Sequence, residues 1–398
     1  MIKFYKNLVE AVIDCLNLIV AEKKYSDKVI EKIFKQHPQW GSRDRRFIAE
    51  TVYDITRNYR YLSFIADSEK NFRLIFAAYL FNKNEALPDW PDYQTINTKL
   101  FQLKKNQVHS HAIRLSYPDE LWNLCEKELG KEIWLKEAEA LNKPTSVVLR
   151  CNTLKIKKSD LIKKLSESEI EVKEIEGFND AILLVKRQNI FSTKEFKEGF
   201  FEVQDAGSQL ISPILNISST QKVIDACAGA GGKSLHLAAL MQNKGRIISL
   251  DTEAWKLDEL KKRAKRAGAN NIETRVIDAS TGSVTIAQLE KSADRVLLDV
   301  PCSGTGVIKR NPDAKWKLSA EIIEKTKLLQ YTILKEYSVM VKTGGKLVYS
   351  TCSILPSENQ LQVQRFLSEN SDFTLENEKT ILPSDGFDGF YMALLVKK

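Results

Sequence analysis

Cys302 and Cys352 lie fifty positions apart, and each closes a run of strand-forming residues. The first follows Arg295-Val296-Leu297-Leu298-Asp299-Val300-Pro301, the second Lys346-Leu347-Val348-Tyr349-Ser350-Thr351. Thiolates are strong nucleophiles, so two thiols at strand ends point to covalent catalysis. Upstream, Asp225-Ala226-Cys227-Ala228-Gly229-Ala230-Gly231-Gly232-Lys233-Ser234 forms a glycine-rich turn between a strand and a helix. A cofactor turn combined with two thiols implies a group transferase. A pyrimidine ring suits it as acceptor, because carbon 5 of cytosine is a poor nucleophile until a thiolate adds to carbon 6. Asp299 would then stabilise the charge that develops near the ring N3 and amino group. The attacking thiol needs a depressed pKa or a nearby base. Local sequence leaves open which of the two attacks.

The glycine turn excludes two common phosphate-binding loops. Gly229 precedes Lys233 by four positions, which misses the GxxxxGK[ST] spacing, and Gly229-Ala230-Gly231-Gly232 is too compact for GxGxxG. A ligand with an amino-acid tail and an adenosine fits better, which points to S-adenosyl-L-methionine. Its candidate binding residues are Cys227, Ala228, Gly229, Ala230, Gly231, Gly232 and Lys233, with Cys227 contributing its backbone. Asp251 closes the next strand and is placed to accept the ribose hydroxyls. Asp278 closes the third and is placed at the adenine amino group, and Asp299 closes the fourth. His236 is expected to pack behind the loop.

These residues need a scaffold that brings strand ends together. Strands are expected over Val223–Ala226, Arg246–Asp251, Ile272–Asp278, Arg295–Val300 and Lys346–Ser350, alternating with helices. That alternation implies an α/β fold with a mainly parallel sheet covered on both faces and ligands beyond the carboxyl ends of its strands. Three domains are expected: helical over 1–141, small α+β over 142–215 and Rossmann-like over 216–398. In the first, Ser42 caps a helix beginning near Asp44, with Ile48, Val52, Ile55, Tyr59 and Leu62 on its apolar face. Arg43, Arg45, Arg46, Arg57 and Arg60 suit either phosphates or internal ion pairs. A further helix is expected from Tyr117 to about Leu141. The small region carries strands at Val147–Asn152 and Ala181–Val185 and a helix at Ser159–Ser166. Lys309, Arg310, Lys315 and Lys317 flank Asn311-Pro312-Asp313 and Trp316. Such a set suits a phosphate backbone and an unstacked nucleotide, with the role of Trp316 open.

The 398 residues are 43% hydrophobic, enough for real cores, with no run of about 18 apolar residues to span a membrane. Met1-Ile2-Lys3-Phe4-Tyr5-Lys6 lacks a secretory pattern, and six scattered cysteines without a CxxC pair argue against a disulfide framework or a metal site. A cytoplasmic location is expected. The net charge of +8 favours a polyanionic partner. No long apolar heptad suggests a dimer, so a monomer is expected.

Four stretches together resemble a known family: Asp225 to Ser234, Asp299-Val300-Pro301-Cys302-Ser303-Gly304-Thr305-Gly306, Asn311 to Trp316, and Ser350-Thr351-Cys352-Ser353. The chain is similar to bacterial RNA (cytosine-5-)-methyltransferases of the 16S ribosomal RNA type, RsmB/Sun-like, with a NusB-like helical domain in front. The resemblance implies a Rossmann-like domain that uses S-adenosyl-L-methionine to make 5-methylcytidine in RNA. The RNA would be 16S rRNA, free or in a pre-30S particle. It also implies Cys352 as nucleophile and Cys302 as the thiol that assists release; the DNA enzymes instead attack with the Pro-Cys thiol. Leu149-Arg150-Cys151-Asn152-Thr153 resembles a family segment that helps hold RNA. Ala230 departs from the family's usual proline. A transfer-RNA cytosine-5 methyltransferase is the nearest rival. A non-catalytic RNA-binding assembly factor is disfavoured by the intact thiols and strand-end carboxylates. A small-molecule methyltransferase is disfavoured by the extra helical domain, the charge and the paired thiols.

Overall fold

The computed structural model describes residues 4–277 and 282–398. The chain divides into two compact units, Met1–Lys143 with Ile308–Glu321, and Pro144–Val307 with Ile322–Lys398.

The first unit is helical. Val9, Val12, Ile48, Val52, Ile55 and Phe76 belong to one core, at the spacings of three and four that put side chains on one helix face. The helix expected from Asp44 runs Ser42–Arg57, and Asp44 rather than Ser42 supplies the cap, accepting the Gly41 N–H at 3.1 Å. It stops before Tyr59 because Asn58 turns its side-chain amide back onto Asp54 O at 2.9 Å. Tyr59 and Leu62 therefore sit on a separate helix, Tyr59–Ala66. The helix expected to reach Leu141 is two, Asp119–Leu129 and Lys131–Leu141, broken at Gly130 with φ +81°.

Most of the arginines are internal struts. Arg45 Nε donates to Trp40 O at 2.9 Å, Arg46 pairs with Glu50, and Arg57 is buried and donates to Lys309 O at 2.9 Å. Arg60 grips Asp119 bidentately at 2.8 and 2.7 Å. The segment Ile308–Glu321 packs in this unit, so its basic residues differ from the phosphate-facing expectation. Lys315 is wholly buried, and its ammonium reaches Arg57 O, Leu115 O, Ser116 O and Asn142 Oδ1. Lys317 pairs with Asp313 at 2.5 Å, and Trp316 Nε1 donates to Thr56 O at 2.9 Å. Trp316 thus has a packing role. A buried ammonium is tolerated only when surrounded by acceptors, and those acceptors come from positions distant in sequence.

The second unit holds two sheets. The smaller has four antiparallel strands in the order Val172–Glu174, Ala181–Leu184, Val147–Cys151, Phe201–Val203, with the helix Lys158–Glu167 against it. The larger has seven: β1 (Lys222–Asp225), β2 (Arg246–Asp251), β3 (Ile272–Val276), β4 (Ala293–Asp299), β5 (Val341–Thr351), β6 (Phe373–Ile381) and β7 (Phe390–Lys397). Their order is β6-β7-β5-β4-β1-β2-β3, with β7 antiparallel to both its neighbours. Helices Gly232–Leu240 and Ala254–Ala267 return the chain between the parallel strands, as a Rossmann-like sheet requires. Sequence patterning found β1 to β5 but not the closing pair. The β6 sequence is charged and exposed along its length, which blunts a sheet edge and hides the strand's periodicity.

Among the described residues, no helix is long and apolar enough to cross a membrane.

Candidate active site

The parallel register brings the carboxyl ends of β1, β2, β4 and β5 to one edge. Asp299 pairs with Ser350 across β4 and β5, so the chain that follows each strand leaves from the same level. The two thiols after those strands meet there, with Cys302 Sγ 3.1 Å from Cys352 Sγ and accepting the Cys352 N–H at 3.3 Å. Two glycines make this approach possible. A Cβ on Gly306 would lie 2.3 Å from Gly389 O and 2.8 Å from Cys352 O, and Gly306 N–H donates to Cys352 O at 2.9 Å.

One buried residue that the sequence reading missed holds both thiol turns. Glu358 is fully buried, and its Oε1 accepts the Ser303 N–H at 2.8 Å and Gln330 Nε2 at 2.9 Å. Its Oε2 accepts Ser303 Oγ, and Ser353 Oγ at 2.5 Å. Ser303 follows Cys302 and Ser353 follows Cys352, so one carboxylate sets both turns. Its only signal was a glutamate seven residues past a strand end, which is unremarkable without the fold. The hydrogen bond with Cys352, burial and the nearby Glu358 charge push the Cys302 thiol well above its ordinary value.

Asp299 ends β4 beside these thiols. Lys233 Nζ donates to its Oδ2 and Ser350 Oγ to its Oδ1 at 3.0 Å. Burial lowers the Lys233 pKa, but the Asp299 carboxylate outweighs it and holds the ammonium charged, in the field of Cys352. The two thiols therefore differ, with a carboxylate acting on Cys302 and a cation acting on Cys352.

The glycine turn forms the rest of the edge. Gly229 and Gly231 have φ of +53° and +86°, and a Cβ on Gly231 would meet Leu260 Cγ at 2.4 Å. Around Gly229 and Gly232 a Cβ would meet nothing within 4 Å, so the backbone there faces open space. Asp251 Oδ2 accepts the Gly229 N–H at 2.8 Å, tying the β2 end to the turn, and Arg263 Nη1 donates to Ala230 O at 2.8 Å. Ala228 N–H bonds to Leu250 O, and the Cys227 thiol is driven up chiefly by burial. Arg150 of the small sheet is buried and donates to Gly232 O at 2.6 Å, so this arginine props the turn. Asp278 lies outside the described residues.

The cradle fits S-adenosyl-L-methionine. Two open glycine backbones flank it, and Asp225 Oδ1 is buried without a hydrogen-bond partner, a natural receptor for a donor or cationic group. The other oxygen, Oδ2, accepts Ser234 Oγ at 2.6 Å.

Asp225 and His236 give the pH dependence of this region. Burial raises the Asp225 carboxyl to about 6 and lowers the His236 imidazole to about 4. His236 lies behind the loop, its Nε2 3.4 Å from Asp180 Oδ2. Its contribution to stability is present above pH ~6.5 and lost as pH falls towards 4. The Asp225 contribution is full below pH ~3.9 and lost as pH rises towards 6. Each amounts to ~3 kcal/mol, so the two slopes oppose one another across that window. Urea midpoints measured from pH 4 to 7 should separate them. Relative to wild type, His236→Gln gains stability as pH falls from 6.5 to 4, whereas Asp225→Asn loses it as pH falls from 6 to 4. Parallel profiles for all three proteins would refute this.

Comparison with known proteins agrees with this architecture. Residues 212–396 match the family model of the 16S rRNA methyltransferase RsmB/F. Residues 117–191 match the RsmF/B-like methyltransferase ferredoxin-like domain. The chain is 30% identical to the probable ribosomal RNA small subunit methyltransferase B of Synechocystis, over 94% of this chain and 95% of that protein. It is 34% identical to the Bacillus subtilis protein of the same name, over 75% of this chain and 70% of the other. The crystal structure of PH0851 superposes with a TM-score of 0.83 at 25% identity, covering 100% of both chains.

Proposed function

From the premise that this chain belongs to the 16S rRNA methyltransferase RsmB/F family, we propose that it methylates carbon 5 of a cytosine through a Cys352 adduct. It is an S-adenosyl-L-methionine-dependent RNA methyltransferase. The carbon-5 reading is supported above all by one observation: two thiols 3.1 Å apart beside a Lys233–Asp299 pair at the cofactor edge.

The backbone of Gly229 to Gly232 and the carboxylates of Asp225 and Asp251 would hold the cofactor. When bound, it supplies an electrophilic methyl group. Cys352 adds to carbon 6 as the thiolate. Asp299, oriented by Lys233 and Ser350, stabilises charge developing at N3 and the amino group. Carbon 5 then becomes nucleophilic. Cys302, kept protonated at neutral pH, is unsuited to first attack. In release, a water molecule takes the carbon-5 proton, that bonding pair re-forms the carbon 5–carbon 6 double bond, the Cys352–carbon-6 bond breaks, and Cys302, 3.1 Å away, protonates the departing sulfur. The target base must be unstacked for a thiol to reach carbon 6. The reading extends to a monomer acting on 16S rRNA, free or in a pre-30S particle.

The test is nucleoside analysis. Undermodified 16S rRNA is incubated with the protein and methyl-labelled cofactor, digested and separated. Label in 5-methylcytidine supports the proposal, and label in any other nucleoside overturns it. Transfer RNA in the same assay serves as competitor, and preferential labelling of it would favour the rival substrate.

A further inference from the structure

Away from the catalytic edge, segments adjoining the small sheet and the last turns of helix Ala254–Ala267 border an open cleft of about 660 Å³. Lys155, Lys197, Lys262, Lys265 and Arg266 line it together with one carboxylate, Glu198, and Phe200. We propose that this cleft is a docking groove for the phosphodiester backbone of single-stranded RNA outside the segment that enters the catalytic edge. The proposal rests on the RNA-methyltransferase reading and adds a second, non-catalytic contact surface to it.

Four observations carry it. First, the cleft has fixed walls. A Cβ on Gly199 would fall 2.1 Å from Arg266 O, so only glycine allows this close approach. Asn152 Nδ2 then bonds both Gly199 O and Ala267 O at 2.8 Å. Lys155 Nζ bridges Glu198 O and Arg266 O, each at 2.7 Å, closing the two sides together. Second, charge on the rim is available. Lys197, Lys262 and Lys265 are exposed, and neither Lys197 nor Lys265 has an ion-pair partner among the described residues. Lys262 has only a 3.7 Å contact with Glu259. Third, an aromatic ring lines the cleft together with the cations. Phe200 is half-buried with Lys164 Nζ 5.9 Å from its centroid, a surface on which an unstacked base can rest. Fourth, the groove is mechanically joined to the cofactor turn. Arg263, one helical turn before Arg266, donates to Ala230 O, and both arginines share Glu202. Polymeric phosphate fits better than a small anion, because the cleft is open and its exposed lysines come from two separate segments, Lys197 on one and Lys262 and Lys265 on the other.

The experiment uses the full chain with Lys197→Gln, Lys262→Gln and Lys265→Gln, singly and combined. All three side chains are exposed, so the fold should be unaffected, which cofactor binding and thermal midpoint verify. Binding of undermodified 16S rRNA is measured by filter retention from 50 to 300 mM KCl. The combined variant should weaken binding ~10-fold or more and flatten the log–log salt slope by about 2, at roughly 0.7 per lost single-strand contact. Its KM for RNA should rise in step while kcat at saturating RNA holds. An unchanged slope and KM, with methylation intact, would overturn the groove and leave the catalytic reading standing. A wild-type chain that neither binds nor methylates RNA would overturn both. Loss of binding to anionic vesicles, with RNA binding unchanged, would assign the cleft to a lipid surface and also overturn it.

Discussion

Cys302→Ala is expected to accumulate a stable protein–RNA adduct on denaturing gels, and Cys352→Ala to form none and lose methyl transfer by at least ~10³-fold, the scale on which removal of a nucleophile acts. The asymmetry follows from the surroundings of each sulfur. Cys352 lies in the field of the Lys233 ammonium, whereas Cys302 is raised by its hydrogen bond with Cys352, by burial and by Glu358. Removing Cys302 should leave addition and methylation possible but stall release, so turnover stops after one cycle with the RNA attached. Removing Cys352 takes away the bond that makes carbon 5 reactive. If instead Cys352→Ala traps RNA and Cys302→Ala does not, the roles are reversed, as in the DNA enzymes. Equal retention of activity by both variants would exclude thiol catalysis altogether.

Glu358→Ala is expected to cost ~3–5 kcal/mol of stability, because it strips the acceptor from a backbone amide, an amide side chain and two hydroxyls in a dry site. Glu358→Gln is milder, since the two serine hydroxyls can rotate to accept from the new amide. That variant should fold and bind cofactor, yet lose ~10²-fold or more in methyl transfer through displacement of the thiol turns. It should also lower the Cys302 thiol, since the Glu358 charge is among the groups raising it. Alkylation of Cys302 in a Cys352→Ser background, followed against pH, reads this directly. A Glu358→Gln protein with wild-type turnover and an unmoved alkylation profile would show that Glu358 is only a packing residue. Stability of Glu358→Ala within ~0.5 kcal/mol of wild type would refute the network account.

The parts of this protein that depend on local pattern were legible before any fold was known. The runs ending at Asp225, Asp251, Asp299 and Thr351 announce parallel strands, and the glycines at 229, 231 and 232 announce a turn that opens a helix. The thiols and the cofactor class could be read because their chemistry requires particular residue types at strand ends. Local pattern also misled where a single residue decided the outcome. Asn58 and Gly130 end helices that apolar periodicity would have continued.

Only the tertiary structure decided which polar groups meet. Register across β4 and β5 places two sulfurs fifty positions apart at 3.1 Å, and Glu358 joins their turns from a third segment. Lys315 reads as a phosphate-binding lysine in sequence, yet its ammonium is enclosed by oxygens from residues 57, 115, 116 and 142. The same composition elsewhere, at Lys197, Lys262 and Lys265, stays exposed along an open groove. The reason is physical. Hydrophobic periodicity and turn chemistry act over a few residues and are written locally. The worth of a charge or a thiol depends on burial and on partners the chain supplies from hundreds of positions away.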